Sequence, residues 1–184
     1  MLLILDFNFM TTLSPSQTTH ESFLEPDRIV KEFGIQEGAR IADFGSGHGY
    51  YTIPLARAVG PDGKIYAIDI QKNSLDIIRA KARLEHLLNV ELIWGDLEEP
   101  EGSKIKESSL DLVIISNILF QSDQKQNILK EAARILKNGA TLAIIEWREE
   151  ETIIGPSTSL RCPKETVKEM CRREGFELTH EFDA

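Results

Sequence analysis

At 184 residues, with 41% apolar and 28% charged side chains, the chain suits one ordinary globular domain that buries its own core without disulfide or metal staples. A formal net charge of -9 argues against a protein that grips nucleic acid or an anionic membrane through a clustered basic face, and favours a small-molecule partner. Cys162 and Cys171 show no CxxC spacing and no histidine at ligand distance, so they read as free thiols in a reducing, cytoplasmic compartment, with no metal site.

The opening run MLLILDFNFM (1–10) is apolar but carries Asp6, lacks a basic leader and is too short to span a bilayer, which argues against stable membrane insertion. TTLSPSQTTH (11–20) reads as a Thr/Ser-rich connector. Residues 1–20 are therefore expected to be a flexible extension, and residues 21–184 one domain. From there the chain alternates. ARIADF (39–44) is a strand. The glycines after it form a turn, and YTIPLARAV (51–59) is a helix with Pro54 in its first turn. KIYAIDI (64–70) is a second strand, followed by the helix SLDIIRAKARLEHL (74–87) with Asn73 as its cap. NVELIWGD (89–96) is a third strand. LDLVIISN (110–117) is a continuous apolar run of the kind buried on both faces near a sheet centre. SDQKQNILKEAARILKNG (122–139) has helical periodicity at Ile128, Leu129, Ala132, Ile135 and Leu136 and is expected to stop at Gly139. ATLAIIEW (140–147), PKETVKEMCRREG (163–175) and FELTHEF (176–182) complete the pattern as strand, helix and strand. This order implies an α/β fold, doubly wound and mostly parallel, whose ligands sit beyond the carboxyl ends of the strands.

The stretch IADFGSGHGY (41–50) falls at that place. A dinucleotide fingerprint is G-x-G-x-x-G, whereas this loop reads G-x-G-x-G, with Tyr50 where the third dinucleotide glycine would stand. Asp69 closes the second strand, where a carboxylate can accept hydrogen bonds from both hydroxyls of a ribose. Asp43, Asp69 and Asp96 thus end three successive strands, an arrangement hostile to pyrophosphate and suited to a ligand carrying amino and sulfonium positive charge.

The ordered set IADFGSGHGY, YAIDI, WGDLE, LDLVIISNILF and EAARILKNGATLAIIEW resembles the class I S-adenosylmethionine-dependent methyltransferases with their Rossmann-like fold. Within them it is similar to the small-molecule branch related to ubiquinone and menaquinone biosynthesis. The resemblance covers about residues 21 to 180 and implies S-adenosyl-L-methionine as cofactor. It sets the methionine part against the backbone of Gly45, Ser46, Gly47 and Gly49 with Asp43 near the amino group. Asp69 takes the ribose hydroxyls, Ile70 packs on adenine, and Asp96 with Leu97 meets its polar edge. Asn117 occupies the position from which the family reaches cofactor and substrate. It is followed by Ile118 and Leu119 instead of the Pro-Pro-aromatic continuation of amino-methylating branches, so nucleobase and protein amides are disfavoured as acceptors.

The family's chemistry demands little beyond in-line positioning and exclusion of water, because the sulfonium methyl is already an electrophile. Glu146 and His20 are candidates for a base by location, and Tyr50 or Trp147 for an aromatic face toward the sulfonium. No catalytic residue is assigned, and nothing in the sequence sets the oligomeric state. The acceptor is expected to be read by ESFLEPDR (21–28), ILFQSDQ (118–124) and REEETIIGPSTSLR (148–161). Arg161 would face either an anionic acceptor or the acidic run, with surface pairing preferred. His48 is read as an exposed loop histidine and Arg148–Glu151 as a solvated face. Relatives close the sheet with a hairpin that supplies an antiparallel strand after the last one found here. That strand is missing from the sequence pattern, and MLLILDF is read as a leader in preference to a substitute for it. Two rival functions remain: a non-catalytic cofactor-binding or interaction protein, and a nicotinamide-dependent oxidoreductase.

Overall fold

The computed structural model describes residues 2–6, 26–152 and 155–182. A seven-stranded sheet has the order β4-β3-β2-β5-β6-β1-β7. The strands are β1 (Leu2–Asp6), β2 (Arg40–Phe44), β3 (Lys64–Asp69), β4 (Val90–Trp94), β5 (Leu110–Ser116), β6 (Leu136–Ile145) and β7 (Glu177–Phe182). The helices are α1 (Pro26–Glu32), α2 (Thr52–Ala58), α3 (Lys72–Leu84), α4 (Lys125–Ile135) and α5 (Lys164–Arg173), with single 3-10 turns at Leu119–Gln121 and Thr158–Leu160. Strands β2 to β6 are parallel, as expected from the strand–helix alternation.

Alternation along the central strands distributes the core to both faces. Ile41 of β2 and Leu112 and Ile114 of β5 meet Ile29 and Val30 of α1 and Leu55 and Ala56 of α2. Ala42, Phe44, Val113 and Ile115 pack on the other face against Leu129, Ala132 and Ile135 of α4 and Val167 and Cys171 of α5. The apolar run in β5 is thus the middle of the sandwich, and both cysteines are buried, unpaired thiols.

Three expectations are corrected. First, residues 2–6, expected within a flexible extension, form a strand in the sheet. β1 pairs antiparallel with β6, from Leu2↔Ile145 to Asp6↔Thr141, and antiparallel with β7, from Leu2↔Phe182 to Asp6↔Glu177. The lane expected to stand empty is filled from the amino terminus. The physical reason is that β6 and β7 each present a ladder edge that needs partners, and an apolar five-residue strand supplies them to both. Residues 7–20 lie outside the described residues. Second, α4 ends at Ile135, before Gly139. Leu136 turns extended and pairs with Leu110, so the chain enters β6 directly, and a register shift between Leu110 and Leu112 absorbs the residues around Gly139. Third, α3 begins at Lys72 with Gln71 as its cap, so Asn73 lies inside the first turn, and the Asp69 carboxylate receives the Gln71 N–H.

Candidate functional site

The carboxyl ends of β2 and β5 meet at a cavity of about 200 Å³ lined by Asp43, Gly45, Ser46, Gly47, His48, Tyr50, Tyr51, Ser116 and Asn117. Its floor is the glycine loop. Gly45 has a φ of +66, and a Cβ there would lie 2.4 Å from Cγ2 of Ile118, so only glycine admits that neighbour. Gly47, at φ +50, meets nothing nearer than the Gly45 carbonyl at 4.0 Å, which leaves its backbone open on the ligand side. Gly49 turns the chain into α2, where Ile78 of α3 lies 3.0 Å from where its Cβ would be.

Asp69, only 7% exposed, fastens this loop: its Oδ2 accepts the Gly47 N–H at 2.8 Å and its Oδ1 accepts the Gln71 N–H at 2.8 Å. The Ser46 N–H adds a bond to the Ile68 carbonyl at 3.0 Å. Each Asp69 oxygen retains a further lone pair for a ligand. Asp43 is buried beside it and accepts the Thr52 hydroxyl at 2.5 Å. Burial pushes the Asp43 carboxyl up to about 6; the Thr52 bond opposes this, and the charge of Asp69 adds to it. Asn117 lies beyond the end of β5 in a left-handed conformation, φ 53, with its N–H on the Ile145 carbonyl at 2.8 Å. The structure therefore brings together Asp43, Gly45, Ser46, Gly47 and Asn117 around one cavity, with Asp69 bonded to its floor.

Beyond Asp69, Ile70 is 58% exposed, an apolar side chain standing in the open. Next to it Trp94, which the sequence reading passed over, donates its indole N–H to the Ile70 carbonyl at 3.0 Å. Lys72 sits 4.2 Å over the Trp94 ring. The signal was an aromatic residue at a strand end, two positions before Asp96. Asp96 itself accepts the Glu98 N–H at 3.0 Å, a local turn bond that leaves its second oxygen for other use. The Leu97 side chain is buried in the core against the α4/α5 face, so Leu97 can meet a ligand only through its backbone.

Residues assigned to acceptor or base roles are placed differently. Glu146 is 2% exposed and does not line the cavity; its Oε1 accepts the Leu119 N–H at 2.8 Å. Trp147 is half-buried away from the cavity, where Gly155 lies so close that a Cβ would come within 2.7 Å of the indole ring. Among the described residues Arg161 pairs with none of the acidic carboxylates. It is buried, and its guanidinium bonds the carbonyls of Arg148, Glu150 and Pro156 and the Thr152 hydroxyl. The 148–151 run is correspondingly more than a solvated face, since its backbone holds Arg161 and Glu149 accepts the Lys164 N–H that begins α5. Tyr51 packs into the core, Tyr50 is 51% exposed at the cavity, and His48 is exposed with its carbonyl held by Lys81 Nζ at 2.7 Å. His20 lies outside the described residues.

A methyltransferase-domain model matches residues 35–181. The chain belongs to this methyltransferase family. Demethylmenaquinone methyltransferase from Geobacillus sp. (strain WCH70) is 32% identical over 126 residues, 68% of this chain and 52% of the relative. The enzyme of that name from Staphylococcus aureus (strain JH9) is 33% identical over 119 residues, 65% of this chain and 47% of the relative. The chain spans about half the length of these curated relatives. A SAM-dependent methyltransferase from Aquifex aeolicus superposes with a TM-score of 0.75 at 29% identity, over 82% of this chain and 79% of that one. An arsenic(III) S-adenosylmethionine methyltransferase from Chlamydomonas reinhardtii, 22% identical, shares the fold with a TM-score of 0.66 over 76% of this chain and 52% of that one.

The cofactor of this methyltransferase family, S-adenosylmethionine, fits the residues present. The Ser46 hydroxyl is buried at the cavity with no hydrogen-bond partner among the described residues, the unmet need of a site built for a polar ligand. The open side of Gly47 and the exposed Ile70 offer a backbone cradle and an apolar platform at its two ends.

Proposed function

We propose that the protein transfers a methyl group from S-adenosylmethionine to a small-molecule acceptor. The observation that carries this reading is Asp69: one nearly buried carboxylate holds the glycine loop through Gly47 and keeps acceptor capacity beside the cavity. In this reading Asp69 accepts the ribose hydroxyls, and the Gly45–Gly49 backbone with Ser46 and Asn117 surrounds the methionine part, with Asp43 near its amino group. Ile70 supports the adenine, whose edge meets the second oxygen of Asp96 and the Leu97 backbone. The bound cofactor supplies an electrophilic methyl group. The chain's own contribution is to align the acceptor behind that methyl and to keep water out.

The acceptor is inferred to be an uncharged apolar or aromatic molecule of the quinol kind. Arg161, for which an anionic acceptor was one of two candidate partners, spends its N–H groups on its own loop. The half-buried Ile118 and Phe120 and the exposed Tyr50 offer apolar surface. The likeness to demethylmenaquinone methyltransferases points the same way. A net charge of -9 weighs against nucleic acid as the acceptor. Among the described residues no helix is long and apolar enough to cross a membrane, and with two unpaired buried thiols this supports a cytoplasmic location.

Calorimetry with S-adenosylmethionine, S-adenosylhomocysteine and NAD tests the cofactor; micromolar binding of the sulfur nucleosides alone is expected, and binding of NAD alone overturns the reading. A radiolabelled methyl donor with short-chain quinols, phenols, amines and thiols then tests the transfer. Binding without turnover on any of them favours a non-catalytic binding protein.

A further inference from the structure

The methionine end of S-adenosylmethionine carries an ammonium and a carboxylate, and the cavity is charged for only the first of them. Asp43 is buried in its lining, and Asp69 fastens its floor. Among the described residues that line it there is no lysine or arginine, and the one histidine, His48, is exposed to solvent. The main chain has little left to offer a carboxylate. The Ser46 N–H bonds the Ile68 carbonyl, the Gly47 N–H bonds Asp69, the Gly49 N–H bonds the Ser46 carbonyl and the Asn117 N–H bonds the Ile145 carbonyl. A carboxylate brought in there must find its donors among side chains or stay unpaired beside two acids, which is costly.

Two hydroxyls answer that need. Ser46 in the glycine loop is 6% exposed and Tyr51, immediately before α2, is 4% exposed, and both line the cavity. Ser46 Oγ and Tyr51 Oη are each buried with no hydrogen-bond partner among the described residues, although a buried hydroxyl ordinarily finds one. The Tyr51 ring is packed into the core with Ile41 and Leu55 and stands edge-on to Tyr50, their centroids 5.2 Å apart at 83°. Its hydroxyl is therefore held in place before any ligand arrives, which spares the ordering cost of binding. Burial pushes the Tyr51 phenol up from its usual range, the neighbouring Tyr50 and Asp43 add to this, and the Ser116 hydroxyl on the same cavity opposes it. The oxygen accordingly keeps its proton and serves as a donor.

We propose that the Tyr51 and Ser46 hydroxyls together hold the carboxylate of the cofactor's methionine end, so that this chain recognises the amino-acid tail with two neutral donors in place of a cation. This rests on the methyltransferase reading for the identity of the ligand. Asp43 takes the ammonium on the same cavity, and the two charges of the tail are thereby told apart by an acid and a hydroxyl pair. The assignment has a consequence for the empty protein. A hydroxyl that waits for a ligand lowers the stability of the ligand-free fold, since it leaves water without finding a partner. Its removal should cost the fold nothing and cost the ligand a charge-assisted bond. A tyrosine kept for a bond inside the protein would behave in the opposite way.

The test uses the full chain and calorimetry with S-adenosylhomocysteine, its analogue without the carboxyl group, its analogue without the amino group, and 5′-methylthioadenosine, which has neither. Tyr51→Phe should bind S-adenosylhomocysteine and the amino-less analogue at least about tenfold more weakly than wild type. The two ligands that lack the carboxyl group should bind variant and wild type within about twofold of each other. Ser46→Ala should repeat the pattern, and it decides by the same comparison if Tyr51→Phe does not fold. In a thermal melt without ligand, Tyr51→Phe should match or exceed wild type. Equal binding of S-adenosylhomocysteine by wild type and both variants refutes the proposal. So does a loss of the same size for the ligands without a carboxyl group, because the hydroxyls would then serve another part of the molecule. A lower melting temperature of ligand-free Tyr51→Phe refutes the idea of a hydroxyl in waiting. His48→Ala tests the rival donor: a tenfold loss there, with Tyr51→Phe unchanged, gives the carboxylate to the histidine. Failure of wild type to bind any of these nucleosides overturns the methyltransferase reading itself, an outcome distinct from wild type and variants binding them alike.

Discussion

Replacing Asp69 with alanine removes two kinds of interaction at once, and their sizes can be separated. Toward the cofactor, a carboxylate serving two ribose hydroxyls makes two charge-assisted bonds of about 1.5 to 3 kcal/mol each. Partial replacement by water leaves a net loss of about 3 kcal/mol, on the order of a hundredfold in affinity. Toward the protein, the N–H groups of Gly47 and Gln71 lose their acceptor. Neither residue is buried, so water takes over, and the cost is about 1 to 2 kcal/mol. For a chain of this size that lowers the melting temperature by roughly 2 to 8 °C. The bond to Gly47 shows that Asp69 also fastens the loop. Asp69→Asn should fall between wild type and alanine, because its amide oxygen can keep one backbone bond while its NH₂ opposes the other donor. Calorimetric titration with S-adenosylhomocysteine measures the first effect and a thermal melt the second. Analogues lacking the 2′- or 3′-hydroxyl provide the control: they should bind wild type weakly and Asp69→Ala no worse than the intact ligand does. An alanine variant that binds like wild type refutes the ribose assignment and the cavity built around it.

Three further outcomes are expected. The Asp43 carboxyl stands at about 6 in the fold against 3.8 when unfolded, so the native state holds its proton more tightly and this residue's contribution to stability falls as pH rises from about 4 to 6. The loss is about 3 kcal/mol at neutral pH; in denaturant melts the difference between Asp43→Asn and wild type should move by most of that amount in the variant's favour between pH 4 and 7.5, and a constant difference defeats the assignment. With Trp147→Phe leaving Trp94 as the sole tryptophan, S-adenosylhomocysteine should change the indole emission saturably, because Trp94 is bonded to the Ile70 carbonyl at the proposed adenine platform. Calorimetric binding without any optical change would move the adenine away from Ile70. Ile4→Pro takes a ladder donor out of β1, a strand paired on both sides, and should cost roughly 3 kcal/mol in a thermal melt. An unchanged melt means that β1 does not hold the sheet edge.

The sequence made the parallel half of the sheet readable because each step there is local. A period-2 apolar run, a turn and a period-3.6 run follow one another within a few dozen residues, and the glycine loop announces its own backbone. β1 was not readable in that way. Its run of four apolar residues declares a strand, but their partners in β6 and β7 lie at the far end of the chain, and an apolar pattern does not name its neighbours. The end of α4 was missed for a related reason. The helical stripe runs on to Leu136 in sequence, yet pairing of Leu136 with Leu110 offers the backbone a ladder and ends the helix before Gly139.

The acids at the strand ends show where a sequence reading of function reaches its limit. Asp43, Asp69, Asp96 and Glu146 all end or follow strands on the carboxyl side of the sheet, and position alone makes each a ligand candidate. Their partners differ. Asp43 bonds Thr52, Asp69 bonds the glycine loop, Asp96 bonds its own turn, and Glu146 bonds the Leu119 amide of a neighbouring loop. The carboxyl ends of parallel strands are where ligands bind and also where the backbone first loses its ladder, so one acid can answer either need. What separates the cases is whether nearby N–H groups already have partners. At Asp69 each oxygen takes one amide and keeps capacity for a ligand beside an open cavity. At Glu146 the side chain is buried and serves the Leu119 amide. Arg161 repeats that logic with the opposite charge, answering loop carbonyls where pairing with the acidic run was preferred to an anionic acceptor. A charged residue at a strand end can therefore be assigned to a ligand only after the loops beside it have been checked for unpaired main-chain groups.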